Sequence, residues 1–142
     1  MTSIHVCAAI ILAPDHRLLM VRKRGTAAFL QPGGKPEVGE TPLQTIAREL
    51  AEELQLQLAA ERFIPLGRFE ERAANEPGFR VIADAFVVYL SDAEASAATA
   101  SAEIAEARWL TADEALEVEL APLSRHHFLP LVSSGVLPTQ AG

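Results

Sequence analysis

The apolar positions of this chain fall into runs of two kinds, and their boundaries predict strands interrupted by a few helices. Ile4–Leu12 is apolar at every position but His5 and stops at Pro14-Asp15-His16, a turn signal, so it reads as a buried strand. Leu18–Arg24 follows as a second strand, close enough to pair with the first as a hairpin, while Gly25–Ala28 and Pro32–Gly34 are loop material. From Leu43 the spacing becomes helical, with Leu43, Ala47, Leu50 and Leu54 in one stripe and Ile46 beside it. Thr41 is a good N-cap there, Pro42 suits the first helical position, and Gln44 completes a T-x-x-Q capping box. Phe63–Arg72 and Phe79–Leu90 read as strands around the turn residues Asn75-Glu76-Pro77-Gly78, and Ala107–Leu110 as a short strand. Thr111-Ala112-Asp113-Glu114 is a second capping box, opening a short helix to about Glu119; a last helix is expected from Leu123 or Ser124 to Ser133. Ser91–Ser101 holds small and polar residues with no aliphatic or aromatic anchor. It is expected to be a flexible surface loop, or in a functional role a mobile flap. No internal repeat is visible. Strands interrupted by one helix and followed by two more indicate an α+β or mixed α/β fold in a single domain, residues 1–142.

The predicted helix carries a set of charges that stability does not explain. At ~100° per residue, Glu49, Glu52 and Glu53 fall within an arc of roughly 100° beside the apolar stripe, at the edge of the buried face. Glu49 repels Glu52 and Glu53 at i,i+3 and i,i+4, at about 0.2–0.5 kcal/mol per pair. All three lie toward the helix C-terminus, where the macrodipole disfavours negative charge. Only Arg48 offers local relief. A hard divalent cation with oxygen ligands would turn this liability into a site, whereas the bland alternative is a solvated acidic face.

The same residues resemble the Nudix box, G-x5-E-x7-R-E-U-x-E-E-x-G-U with U aliphatic. Here it reads Gly34, Glu40, Arg48, Glu49, Leu50, Glu52, Glu53 and Leu56, and it departs at Gln55, where the family has glycine. The lead-in Pro32-Gly33-Gly34 through Glu37 and Gly39-Glu40 is also similar to the family's approach to the box. The resemblance implies a mixed sheet sandwiched between helices, an α/β/α arrangement that includes the Nudix helix. It implies metal-dependent hydrolysis of a nucleoside diphosphate linked to another group. It assigns Glu49, Glu52 and Glu53 as ligands of Mg²⁺, with Mn²⁺ an alternative, and Glu40 as a supporting carboxylate. Arg48 would hold neighbouring carboxylates in place, and Gly33 and Gly34 would bring the backbone close to the metal and the phosphates. At Gln55 the left-handed stop that glycine provides must either be strained into or abandoned.

A carboxylate must also take a proton from water. Glu53 and Glu52 are the candidates inside the box; Glu103, and after it Glu106, are the distal ones, against the alternative of ordinary surface acids. Strand alternation puts Arg22 and Arg24 on one face, where they could clamp phosphate or simply be solvated. Phe29 could stack on a base, though packing explains it; Asn75 and Glu76 could read a substrate edge, though a turn explains them. His126-His127 lacks metal-ligand spacing with any other His or Cys.

Composition narrows the partners. A net charge of −7 argues against a protein that coats nucleic acid or a membrane surface, but not against an anionic substrate at a metal site. Cys7 is alone and cannot form an internal disulfide, and the first apolar run is too short to span a bilayer and has no basic lead-in. The expectation is a cytoplasmic enzyme acting on a small nucleotide, without nucleic-acid or membrane partners, for which a homodimer is open. The SQPWPFPxS-like stretch, the proline spacing and the tyrosine that mark other Nudix subgroups are missing, which favours a MutT-like enzyme for nucleoside triphosphates. The competing expectation is a catalytically silent Nudix domain that binds a nucleotide as sensor or scaffold.

Overall fold

The computed structural model describes residues 2–73 and 77–138; Asn75 and Glu76 lie outside the described residues. The strands are β1 (Thr2–Leu12), β2 (Leu18–Lys23), β3 (Gly33–Gly34), β4 (Ile64–Arg72), β5 (Phe79–Tyr89) and β6 (Ile104–Leu110). The helices are α1 (Pro42–Leu54), α2 (Asp92–Ala97), α3 (Ala112–Ala115) and α4 (Leu129–Ser134), with a π turn at Ser124–Phe128 leading into the last. The sheet runs β4-β5-β1-β2-β6 and is mixed. β1 and β5 are parallel over their full length, Thr2↔Phe79 to Leu12↔Tyr89, and the other pairings are antiparallel.

Both faces of β1 are covered from Cys7 to Leu12, which is why that stretch is apolar rather than alternating. Cys7, Ala9 and Ile11 pack beneath Ile46, Leu50 and Leu54 of α1. Ala8, Ile10 and Leu12 face the other way, onto Ala115, Leu123, Phe128 and Leu129. The result is the α/β/α sandwich expected from the box. β1 and β2 are in register at the hairpin end, Leu12↔Leu18, and the segment after Ala28 is wedged between them further down. Leu30 bridges to Val21, the Ala9 N–H donates to the Pro32 carbonyl at 3.0 Å, and β3 pairs with Cys7 and Ala8. This wedge carries the two glycines to the middle of the sheet. A side chain on Gly33 would collide with the Cys7 carbonyl oxygen, so the close approach requires glycine.

Three expectations need correction. Ser91–Ser101 is no anchorless loop: Ser91 and Glu94 form a capping box that starts α2, and Ala95 and Ala98 pack against the core. Arg62 forks onto Glu94 at 2.7 and 2.8 Å, and the Thr99 and Ser101 N–H groups donate to the Leu54 and Glu53 carbonyls. Short alanine side chains let this segment lie close to α1, where longer ones would hold it off. The helix after Thr111 stops after one turn rather than at Glu119, and the final helix opens with a π turn. α1 itself starts where its caps place it, with both hydrogen bonds of the Thr41–Gln44 box formed. It ends in a left-handed residue, Gln55 at φ 57° and ψ 33°, with a bond from the Leu56 N–H back to the Leu50 carbonyl. The family's stop is kept, without its glycine.

Candidate active site

A cavity of about 670 Å³ opens between the last two turns of α1, the Gly33-Gly34 segment and the π turn. Arg48, Glu49, Glu52 and Glu53 of α1 line it, with Lys23, Gly33, Gly34 and Glu103. The helical spacing predicted this gathering, but the burial of Glu53 is deeper than an edge position: it is 3% exposed. Its Oε1 accepts the Gly33 N–H at 3.1 Å, and its Oε2 lies 3.8 Å from Lys23 Nζ. Burial pushes the Glu53 carboxyl up to about 7, and the Glu49 and Glu103 charges push the same way. Lys23 and the Gly33 N–H offset only part of this.

Arg48 organises the remaining carboxylates. Its guanidinium forks onto Glu40 at 2.7 and 2.9 Å, reaches Glu49 at 2.8 Å and Glu52 at 3.3 Å, and donates to the Lys35 carbonyl at 3.0 Å. The Glu37 N–H and the Thr45 hydroxyl also donate to Glu40. The fork from Arg48, together with these donors, holds Glu40 down to about 2. Glu49 is shifted the other way, upward, by burial foremost, despite its own contact with Arg48. A side chain on Gly34 would overlap the Glu49 carboxylate, so this glycine opens the space the carboxylate occupies.

Among the described residues no three His, Cys, Asp or Glu side chains converge as a ready metal cage. The reason is visible: Arg48 holds Glu49 and Glu52, while Gly33 and Lys23 hold Glu53. The donor set nonetheless fits a hard cation. Mg²⁺ is commonly bound by one or two carboxylates together with waters and substrate phosphates, not by a complete protein cage. Burial foremost raises both Glu49 and Glu53, so a cation at this end of the cavity would favour their charged forms.

The other predicted residues divide. Glu103 lines the cavity, whereas Glu106 pairs with Arg22 at 3.0 Å outside it. Arg22 is further held by the Thr26 carbonyl, and Arg24 donates to the Ala102 carbonyl, so neither arginine faces the cavity. Phe29 is buried in the core on the α4 side, with the Arg108 guanidinium 5.9 Å from its ring centre. His126 and His127 both reach Glu71, at 2.8 and 3.5 Å, tying the π turn to β4.

The lining also includes polar residues that the sequence did not single out as site residues, among them Lys23, Lys35, Arg72, Gln31 and Ser124. Lys23 had a signal in the basic run Arg22-Lys23-Arg24 that ends the second strand. Gln31 was visible as a polar residue inside the apolar lead to Pro32; Ser124 had no local signal.

The family model of the NUDIX domain matches residues 1–132. None of the curated proteins compared matches the chain. Among solved structures, the chain is similar to a MutT protein of Methanosarcina mazei Go1, with 21% identity, TM-score 0.73, and 96% of this chain and 97% of that one covered. It is also similar to the E. coli dihydroneopterin triphosphate pyrophosphohydrolase, with 23% identity, TM-score 0.72, and coverage of 92% and 95%. A third likeness is to a bifunctional NMN adenylyltransferase/ADP ribose pyrophosphatase of Francisella tularensis, complexed with AMP and a Mn ion, with 18% identity and TM-score 0.70. There the match covers 93% of this chain and 42% of that one. At these identities the likenesses establish the fold.

Proposed function

The chain belongs to the Nudix family and is a hydrolase of phosphoanhydride bonds; from that premise we propose that it cleaves nucleoside triphosphates to the monophosphate and pyrophosphate with Mg²⁺ or Mn²⁺. The observation that carries the proposal is the buried Glu53 carboxylate, fixed by the Gly33 N–H beside Glu49 in a cavity that also presents Lys23, Lys35 and Arg72. A polyphosphate brings several negative charges to these carboxylates, so the site needs more positive charge than its side chains supply. Glu49, Glu52 and Glu53 would hold the cation. When bound, it would polarise phosphoryl oxygens, lower the pKa of water and neutralise the leaving phosphate.

The protein's own groups do the rest. Arg48 keeps Glu49 and Glu52 oriented, with Glu40 anchoring the guanidinium from behind. Lys23, beside Glu53, and Lys35, whose carbonyl accepts from Arg48, supply charge along the path of the phosphates. Water adds to one phosphorus, the bond from that phosphorus to the bridging oxygen breaks, and a carboxylate takes the water's proton. Glu52, Glu53 and Glu103 all line the cavity and are the candidates for that base. The likeness to the dihydroneopterin triphosphate pyrophosphohydrolase supports a triphosphate as substrate.

The test is a panel of nucleotides incubated with Mg²⁺, with Mn²⁺ and with EDTA, the products being identified by mass. Pyrophosphate and a nucleoside monophosphate are expected only with metal. Turnover that survives EDTA, or binding of nucleotides without any cleavage, overturns the proposal; the latter result would favour the silent sensor.

A further inference from the structure

The end of the cavity away from α1 has a different character. Its walls there are aliphatic, from Ile4 and Val6 of β1, Val81 of β5 and Leu123 beside the π turn. Ile4, Val6 and Val81 are incompletely covered, so a flat apolar face is open to a ligand. Against this wall two polar residues are buried, Gln31 at 4% and Ser124 at 1% exposure. Burying an amide and a hydroxyl at an apolar wall costs free energy unless their hydrogen bonds are made.

They are only partly made. The Ser124 hydroxyl donates to Gln31 Oε1, which turns the amide oxygen toward Ser124 and takes up one of its two lone pairs. On the donor side, one Nε2 hydrogen points to the sulfur of Met20 at 3.2 Å, a weak acceptor. Among the described residues the second Nε2 hydrogen has no acceptor. Two features of the backbone hold this pair in place. Phe29 is hydrogen-bonded to both Glu119 and Ala121, which brings the strand before Pro32 against the chain leading to Ser124. The helix then opens with a π turn, and both Ser124 and Phe128 of that turn line the cavity. Single π turns within helices are uncommon and occur often at functional sites.

We propose that Gln31, oriented by Ser124, is the residue that selects the substrate base, donating its free amide N–H to a ring carbonyl. This rests on the reading of the cavity as a nucleotide site. An aliphatic wall accepts any base. With its oxygen turned toward Ser124, the amide has its N–H left to offer, and that donor favours bases carrying oxygen at the reading position, the 6-oxo purines and 4-oxo pyrimidines. The 6-amino purines and 4-amino pyrimidines would set one donor against another there.

Inosine and adenosine triphosphates, and uridine and cytidine triphosphates, form the test pairs, since each differs chiefly at that position. Wild-type kcat/KM in Mg²⁺ should favour the oxo member by about tenfold or more. Gln31→Met, which keeps length and removes the donor, should reduce the preference to less than about threefold by losing the oxo substrates selectively. Ser124→Ala leaves the amide free to turn and should weaken the preference without removing it. Thermal melts of each variant separate this from misfolding, and Gln31→Leu is the second variant if Gln31→Met does not fold. Equal wild-type rates within both pairs, or a uniform loss across all four nucleotides in a folded Gln31 variant, overturns the inference and leaves the hydrolase reading standing. Titration of the same pairs by calorimetry reads the preference without turnover. Selective binding of the oxo members without cleavage would sink the hydrolase reading alone, and no binding of any of the four would sink both.

Discussion

The two ends of α1 are built on opposite terms. The N-terminal end is well secured: a complete capping box at Thr41 and Gln44, proline in the first turn, and the Glu40 carboxylate just before the cap forked by Arg48. The C-terminal end has only its left-handed stop, and no basic residue in the last turn. Three glutamates face the negative end of the dipole, one of them is buried, and the helix stops in a left-handed conformation at a residue with a side chain. Pinning the first half firmly lets the second half hold charges that would otherwise weaken the helix. The costly half is the one lining the cavity.

The largest effect that bears on this contrast belongs to Glu53→Gln. Turnover should fall by about 10² or more, whether Glu53 holds the cation or takes the proton. Its effect on stability depends on pH in a direction the burial determines. The folded-state pKa lies near 7, above the ordinary 4.5, so between these values the native state binds more protons than the unfolded one. Stability from this group is therefore full below about pH 4.5 and is lost as pH rises to about 7, on the order of 3 kcal/mol in all. In EDTA the variant should melt higher than wild type at pH 8, and the gap should close toward pH 5. Saturating Mg²⁺ at pH 8 should reverse the order, because only the wild type gains the full binding free energy. Melts across this range decide it: a variant less stable than wild type at pH 8 in EDTA would mean that Glu53 is a structural residue.

Next in size is Arg48→Met. Removing the guanidinium leaves Glu40 and Glu49 without their charged partner and should destabilise the fold, by less than Glu53→Gln changes it at pH 8. Turnover should drop by about 10–100-fold, the range seen when groups that orient metal ligands are removed. Arg48→Lys should recover stability only in part, since an ammonium cannot fork onto Glu40 while also reaching Glu49 and Glu52. Full recovery of both stability and rate with lysine would show that the charge, not the fork, matters.

The same contrast separates what was legible in the sequence from what was not. The start of α1, its apolar stripe and its acidic arc are local patterns, set by residues three or four apart, and all three stand in the structure. α2 was legible on the same terms, through Ser91 and Glu94, but the alanine-rich composition around it hid the capping box. Long-range partners were not legible. Arg24 lies just past the end of β2 and the pairing is irregular between Arg22 and Lys23, so alternation does not carry through; Glu106 draws Arg22 from 84 residues away, and Lys23 meets the cavity. Gln31 and Ser124 meet across 93 residues. Local chemistry predicts which side chains a helix presents; which of them a cavity uses depends on what the rest of the chain brings opposite.

Thr41→Ala tests the supporting end more gently. It removes the side chain that accepts the Gln44 N–H and half of the reciprocal box, which should cost about 1 kcal/mol. With metal saturating, the rate should be nearly unchanged, because the cap lies three turns from Glu53. A loss of rate as large as that of Arg48→Met would show that the two ends of α1 are coupled more closely than the contrast allows.

The smallest effect, and the one of opposite sign, is expected at Gln55. Its backbone sits at φ 57° and ψ 33°, where a residue with a Cβ is strained by roughly 1–2 kcal/mol relative to glycine. Its side chain is exposed and makes no hydrogen bond among the described residues, so little is lost on its removal. Against this gain, glycine gives the unfolded chain more freedom, which returns about 0.5–1 kcal/mol. Gln55→Gly should therefore stabilise the protein by roughly 0.5–1 kcal/mol, a rise of a few degrees in thermal midpoint for a domain of this size. Because the conformation is already left-handed, the substitution should not move Glu52 or Glu53, and kcat/KM should stay within about twofold of wild type. Denaturant titration beside a rate assay measures both. A more stable variant with unchanged rate would show that the strain at the end of α1 is incidental to the glutamates beside it. A more stable variant with a clearly lower rate would show that the stiff stop at Gln55 helps hold Glu53 against Gly33.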